Sequence, residues 1–164
     1  MKFSIVFLMM TLVVTTSCSK AELNDEVLTN TAVTSLDYKS NVAMEMEIFE
    51  LINNYRESKG LSVLKYNSGA QAYTVNHNLY MISNDEINHD DFDQRSSQLS
   101  VELHATKVAE NVGRSFSTAE GVFNAWLAST SHLKNIEGDY NETAISVAYS
   151  EEGILYFTQV FIKE

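Results

Sequence analysis

The sequence predicts an α+β domain, a three-layer α/β/α sandwich with a small, mostly antiparallel sheet between helices. Three observations carry that prediction. Residues 154–162 alternate Leu155, Phe157, Gln159 and Phe161 against Tyr156, Thr158, Val160 and Ile162. Both sets are largely apolar, and a strand apolar on both faces needs one layer above it and another below. Upstream, three stretches repeat apolar residues at helical spacing and so supply those layers. The 164 residues also contain no proline and only six glycines, which suits packed helices and strands and argues against a low-complexity linker architecture. A chain of this length has room for one domain with a proper core.

The N-terminus reads as an export signal. Lys2 precedes an apolar run from Phe3 to Val14, too short to span a bilayer and right for the hydrophobic region of a secretory signal. The run stops at Thr15-Thr16-Ser17-Cys18, which holds the only cysteine. Small residues before a cysteine resemble the lipobox of bacterial lipoproteins, where that cysteine becomes acylated and N-terminal. Thr15 stands where leucine is usual, and an ordinary signal peptide is the alternative. A lone cysteine excludes an internal disulfide framework, so the core alone must hold the domain. The expected organisation is a signal peptide over 1–17, a polar tether over 18–41 and the domain over 42–164. A flexible tether of that length reaches roughly 25 Å; a short helix at 32–40 is the other reading of its end.

Eleven basic residues against 22 acidic ones give a net charge of −11, which sets nucleic-acid binding aside, because that function relies on neutralising phosphates. Removing residues 1–17 takes away Lys2 and no acid, so the mature chain is more acidic still. Membrane contact is therefore expected only through the lipid anchor.

Within the domain, Met44, Ile48, Leu51, Ile52 and Tyr55 form the first helical stripe, with Glu45, Asn53 and Arg56 on other faces. Gly60 ends that helix, with Lys59 in its last turn. Leu61 to Tyr66 crosses to a second helix, where Ser68 and Gln71 read as a capping box and Ala72, Val75, Leu79 and Ile82 as the core stripe. Tyr73, His77 and Tyr80 fall on the neighbouring stripe, so His77 reads as a boundary residue packed against tyrosines. Asn88 to Arg95 reads as a short helical turn with His89 and Phe92 on one face. Residues 96–105 read as a polar surface loop with His104 exposed. Thr106 to Ala109 is a short strand leading into Glu110, and Gly113 a break. Ser117 and Glu120 form a second capping box, opening a helix whose stripe is Ala119, Val122, Phe123, Trp126, Leu127 and Thr130; His132 follows its last turn. Ile145, Val147 and Tyr149 then alternate with Ala144, Ser146 and Ala148, and Ser150 to Gly153 turns into the final strand.

His89, Glu110 and His132 are the candidate site residues. Two imidazoles and a carboxylate compose a two-His-one-carboxylate metal site, for zinc or another divalent ion, or a small acid/base constellation. All three fall at the ends of packed elements, where a scaffold presents functional groups, and are expected to converge. The alternative is that both histidines bond backbone carbonyls and Glu110 accepts backbone N–H groups or an arginine. No nucleophile stands out: Ser131 merely adjoins His132, and Cys18 lies outside the domain. The expected function is a surface-tethered module whose cleft binds a small-molecule, lipid or peptide ligand. A protease-like hydrolase using the same cleft, and a structural envelope protein without ligand, are the alternatives. Oligomeric state is not encoded in any pattern found.

Several motifs recur together: Asn54-Tyr55-Arg56 with Leu64 and Tyr66; Ala72 to Met81; His89 with Phe92 and Arg95; Glu110-Asn111-Val112; Trp126 with Ser129; His132 with Asn135-Ile136; and Tyr156 to Phe161. In order and spacing, residues 43–162 resemble the CAP superfamily, which includes cysteine-rich secretory proteins, antigen 5 proteins and plant pathogenesis-related proteins. The resemblance implies a three-layer α/β/α fold; with the N-terminal signal, the expected product is a cell-envelope lipoprotein at the outer membrane or surface, or else a secreted protein. Animal and plant members carry a cavity tetrad of two histidines and two glutamates, to which His89 and Glu110 correspond. Ser129 stands in place of the second glutamate and Tyr156 in place of the second histidine. That pattern is similar to the bacterial branch, where a histidine after the Trp helix, here His132, takes part. The usual Ser-Pro-Gly-His at that point is Ser129-Thr130-Ser131-His132.

Overall fold

The strand that is apolar on both faces runs through the interior of a four-stranded sheet. The computed structural model describes residues 39–164; the expected signal, Cys18 and nearly all of the expected tether lie outside the described residues. In chain order the elements are α1 (Val42–Ser58), β1 (Lys65–Tyr66), a 3-10 turn (Ser68–Ala70), α2 (Gln71–Asn84), α3 (Phe92–Glu102), β2 (Lys107–Arg114), α4 (Ala119–Ala128), α5 (Thr130–Ile136), β3 (Glu142–Tyr149) and β4 (Leu155–Lys163). Across the sheet the order is β1-β3-β4-β2, antiparallel except for the β1–β3 pair.

Alternation along β3 and β4 makes the three layers. Ile145, Val147, Phe157 and Phe161 meet Ile48 and Ile52 of α1 and Val122, Phe123 and Trp126 of α4. On the other face Ala144, Val160 and Ile162 meet Ala70 and Leu99, while Val112 and Tyr156 meet Met81 of α2. Helices α1, α4 and α5 thus cover one face of the sheet and α2 and α3 the other.

Helix α1 ends as the sequence predicts. Gly60 has φ +72°, and the N–H groups of Gly60 and Leu61 return to the carbonyls of Glu57 and Arg56. Two residues assigned to its outer faces are buried instead. The Glu45 carboxylate accepts the Val147 N–H at 2.9 Å. Arg56, 2 % exposed, donates to the carbonyls of Ser62, Ile136, Gly138 and Tyr140. One planar fork of donors reaches all four of these carbonyls.

The expected stripe of α2 is misphased. Thr74, His77, Asn78 and Met81 are buried, while Ala72 is exposed. The sheet opposite is polar at Ser146 and Thr158: the Asn78 amide donates to the Ser146 carbonyl at 2.8 Å and accepts from the Thr158 hydroxyl at 2.6 Å. A core-facing stripe that is itself polar is invisible to a count of apolar residues. Both capping boxes also shift by one residue. Thr118, not Ser117, caps α4 by accepting from the Gly121 N–H at 3.0 Å, and Asn67, not Ser68, caps the turn before α2. The expected loop over 96–105 is mostly α3, whose fully buried side chain is Leu99. His104 is exposed, as expected. His132 lies inside α5, because extended backbone at Ser129 (φ −95°, ψ 119°) ends α4 and restarts the helix. Thr130 is accordingly exposed and no part of the α4 stripe.

Gly113 does not break the chain; it sits within β2. A Cβ there would lie 2.9 Å from Val122 Cγ2 and 3.4 Å from Phe157 Cβ, so the glycine is what allows α4 to approach the strand. Gly113→Ala should destabilise the domain by about 1–3 kcal/mol through overpacking, read as a lowered denaturation midpoint. A midpoint equal to wild type would mean that α4 can move away freely. No helix among the described residues is long and apolar enough to cross a membrane.

Candidate functional site

The candidate site is built on β2, whose alternation turns Glu110 toward the α2–α3 layer while Ala109 faces α1 and α4. Only 1 % of the Glu110 side chain is exposed, and its charge is met by a guanidinium. Arg95 of α3 donates from Nη2 to Oε1 at 2.9 Å and from Nε to Oε2 at 3.0 Å, a bidentate pair. His89, on the loop before α3, places Nδ1 2.9 Å from Oε1, and its side chain is 49 % exposed. One face of the imidazole is therefore fixed while the other looks outward.

Beneath this pair lies His77, a residue the sequence assigned to a tyrosine boundary. Its ring does stack on Tyr80, with centroids 6.1 Å apart. It also reaches further. Nε2 donates to the Asn88 carbonyl at 2.9 Å, which places the proton on that nitrogen, and stands 3.7 Å from Glu110 Oε1. Nδ1 is buried without a partner among the described residues. Tyr80 donates to Asp90 Oδ2 at 2.9 Å and Arg95 Nη1 to the Asp90 carbonyl at 2.6 Å, so the loop carrying His89 is tied to both helices that flank it.

Burial holds the His77 imidazole below its ordinary pKa, against the opposing pull of Glu110; burial, and then the charge of His89, does the same for His132. With folded values depressed, the unfolded chain binds more protons below about 6.5. The stability these groups contribute is complete above that pH and is lost as pH falls toward the folded values. A pH series of urea denaturations should show stability declining below about pH 6.5, with a shallower decline in His77→Gln. Equal slopes in the two proteins would show that His77 titrates alike folded and unfolded.

On the far side of β2, side-chain amides tie α5 to the strand. Asn135 Nδ2 donates to the Glu110 carbonyl at 3.0 Å and to Asn111 Oδ1 at 2.9 Å; Asn111 Nδ2 donates to the His132 carbonyl at 3.2 Å. Trp126 Nε1 donates to the Val112 carbonyl at 2.9 Å. Between α5, β2 and the start of α3 opens a cleft of about 500 Å³, walled by His89, Phe92, Glu110, Lys107, Lys134 and Tyr140. His132 stands instead in the wall of a neighbouring pocket of about 450 Å³, beside Ile87, Val112, Phe116 and Trp126. Of the three residues singled out by sequence, the structure joins His89 to Glu110 by a hydrogen bond, and His132, in the wall of the neighbouring pocket, lies near enough for the charge of His89 to lower its pKa.

Both Glu110 oxygens are held by Arg95, and among the described residues no group of three or more His, Cys, Asp and Glu side chains is arranged to hold a metal ion. The Ser131 hydroxyl, in the cleft wall, lies 3.1 Å from that of Ser129 and, among the described residues, is not hydrogen-bonded to a histidine or carboxylate that could activate it.

The model of the cysteine-rich secretory protein family, CAP, matches residues 49–161. The chain belongs to the CAP family. No curated protein matches it in sequence. Among solved structures, this CAP domain is similar to an outer surface protein of Borrelia burgdorferi, with TM-score 0.68 and 19 % identity over 77 % of this chain and 98 % of that one. It is similar to an extracellular SCP-domain protein of Bacillus anthracis, with TM-score 0.65 and 21 % identity over 75 % of this chain and 41 % of that one. A cysteine-rich secretory protein of Staphylococcus aureus matches with TM-score 0.62 and 22 % identity over 76 % of this chain and 39 % of that one. This chain thus spans nearly all of the first protein and about two fifths of the other two. At such identities the likeness is one of fold.

Sequence reasoning missed His77 and underused Arg95. The resemblance carried Arg95 as a motif residue, and the structural alternative for Glu110 named an arginine partner without saying which. For His77 the available signal was its spacing: Thr74, Asn78 and Met81 share its helical face, and all three are buried.

Proposed function

We propose that this CAP domain is an exported, surface-tethered binding module whose cleft takes a ligand and does not transform it. The observation that carries the proposal is the open cleft with His89 at its wall, half exposed and fixed by the Glu110–Arg95 pair, with no activated nucleophile beside it among the described residues. Ligand sites are characteristically preformed concavities of this size with few, well-held polar groups. Support for export comes from the N-terminal pattern ending at Cys18 and from the secreted and surface proteins that share the fold. A lipidated mature chain should partition into detergent and carry acyl mass on Cys18; a soluble product beginning elsewhere would refute the anchor.

For the cleft, amide chemical shifts should be followed while peptides, lipids and small polar molecules are titrated in turn. Saturable shifts at Phe92, Val108 and Ala109, with the added molecule recovered intact, are the expected result. Conversion of the molecule that disappears in His89→Ala would favour the hydrolase alternative. An unresponsive cleft would favour a structural envelope role.

A further inference from the structure

Two lysines line the cleft, in a protein whose net charge is −11. Lys107, at the start of β2, holds Nζ 4.4 Å from the centroid of the Tyr140 ring. That contact orders the ammonium group at the cleft wall while leaving its charge unneutralised. Lys134 projects from α5. Neither lysine takes part in an ion pair among the described residues. Of the nearby acids, Glu110 is engaged by Arg95, and Asp139, after α5, by Lys163 Nζ at 2.9 Å, with Lys107 acting on Asp139 only at longer range. The cleft is thus locally positive within an acidic domain.

We propose that Lys107 and Lys134 form an oxyanion subsite at this cleft, for a phosphate or carboxylate borne by a soluble ligand. The inference rests on the ligand-binding reading of the same cleft and names the chemistry of what enters it. Lysines bind phosphate as compact point charges with rotatable donors, without the geometric demand of a bidentate fork. At physiological ionic strength the screening length is about 8 Å, so remote acids repel an incoming anion little while the two ammonium groups act on it at contact. An anionic bilayer carries phosphate too, but the whole acidic protein would have to approach a surface of its own sign. The soluble source is favoured on that ground.

The test uses glycerol 3-phosphate as probe and glycerol as its neutral control, read through the amide shifts of Lys107, Ala109 and Lys134. Glycerol 3-phosphate should give saturable shifts and glycerol none. Lys107→Glu and Lys134→Glu should each weaken binding about tenfold, with melting temperatures close to wild type because neither lysine holds the fold together. Lys107→Gln serves as a milder variant that keeps most of the stem packing on Tyr140. Absence of saturation, or affinity unchanged in the charge-reversed proteins, would overturn the subsite. Co-sedimentation with phosphatidylglycerol vesicles but not phosphatidylcholine vesicles, lost in the double variant, would overturn the soluble source in favour of a lipid head group. Should a neutral molecule saturate the cleft where glycerol 3-phosphate does not, ligand binding would stand and the oxyanion subsite would fall. A cleft that responds to nothing would end both.

Discussion

Arg95→Met should cost the domain about 3–5 kcal/mol at neutral pH, more than any other change around the cleft. The Glu110 side chain is 1 % exposed, and both its oxygens accept from the Arg95 guanidinium. Removing that group leaves a buried carboxylate with only the half-exposed His89 in hydrogen-bonding contact. The penalty is the stranded charge, not the lost attraction alone, so removing both charges should be far cheaper than removing one. Urea denaturation of Arg95→Met, Glu110→Gln and the double variant would measure this, with the double variant recovering most of the loss. Additive losses would show that the two residues are not coupled, and the platform under His89 would then need another explanation.

Trp126→Ala should cost about 3–5 kcal/mol as well, by a different route. The side chain is 1 % exposed and packs between α4 and the sheet, so its removal leaves a large cavity. It also frees the Val112 carbonyl, to which the indole N–H donates at 2.9 Å. Trp126→Phe separates the two contributions, since it refills part of the volume and restores no donor; it should cost about 1–3 kcal/mol. Trp126 is the only tryptophan, so unfolding must be followed by circular dichroism and not by intrinsic fluorescence. A midpoint near wild type for the alanine variant would contradict the burial of the α4 stripe.

What could be read in the sequence divides along a physical line. Elements whose buried faces are apolar were legible: the two-faced β4, the alternation of β3, and Ala119, Val122, Phe123 and Trp126 on α4 all sit where their periodicity placed them. Elements whose buried faces are polar were not. Asn78 and Thr74 fall outside the stripe that periodicity picks out on α2, because nothing local reveals Ser146 and Thr158, which are far away in sequence and opposite in space. Arg56 and Glu45 were misassigned for the same reason, since Arg56 reaches the carbonyls of Ile136, Gly138 and Tyr140 and Glu45 the N–H of Val147, all 80 or more positions away. At the site, His89 and Glu110 were legible by family pattern, whereas the His77 contribution required the three-dimensional register of α2 on the sheet. Gly113 was given a common role of glycine, breaking the chain, when its function is close approach.

The amides and indole that fasten α4 and α5 to β2 have one more consequence, for copies of this domain crowded side by side. In the β2–β4 register the Ser115 N–H meets the Leu155 carbonyl, so odd-numbered residues of β2 face β4 and the carbonyls of Glu110 and Val112 face the open rim of the sheet. Those are the two carbonyls taken by Asn135 and Trp126. The opposite rim is closed by the short strand β1 at one end of β3, and at the other by residues 39–41 and the Glu45 carboxylate. An unsatisfied strand rim is a template on which neighbouring chains add strands and aggregate. Here two carbonyls of the β2 rim and both ends of the β3 rim are taken by the domain's own groups, so dense packing of many copies offers a neighbouring strand a shortened ladder.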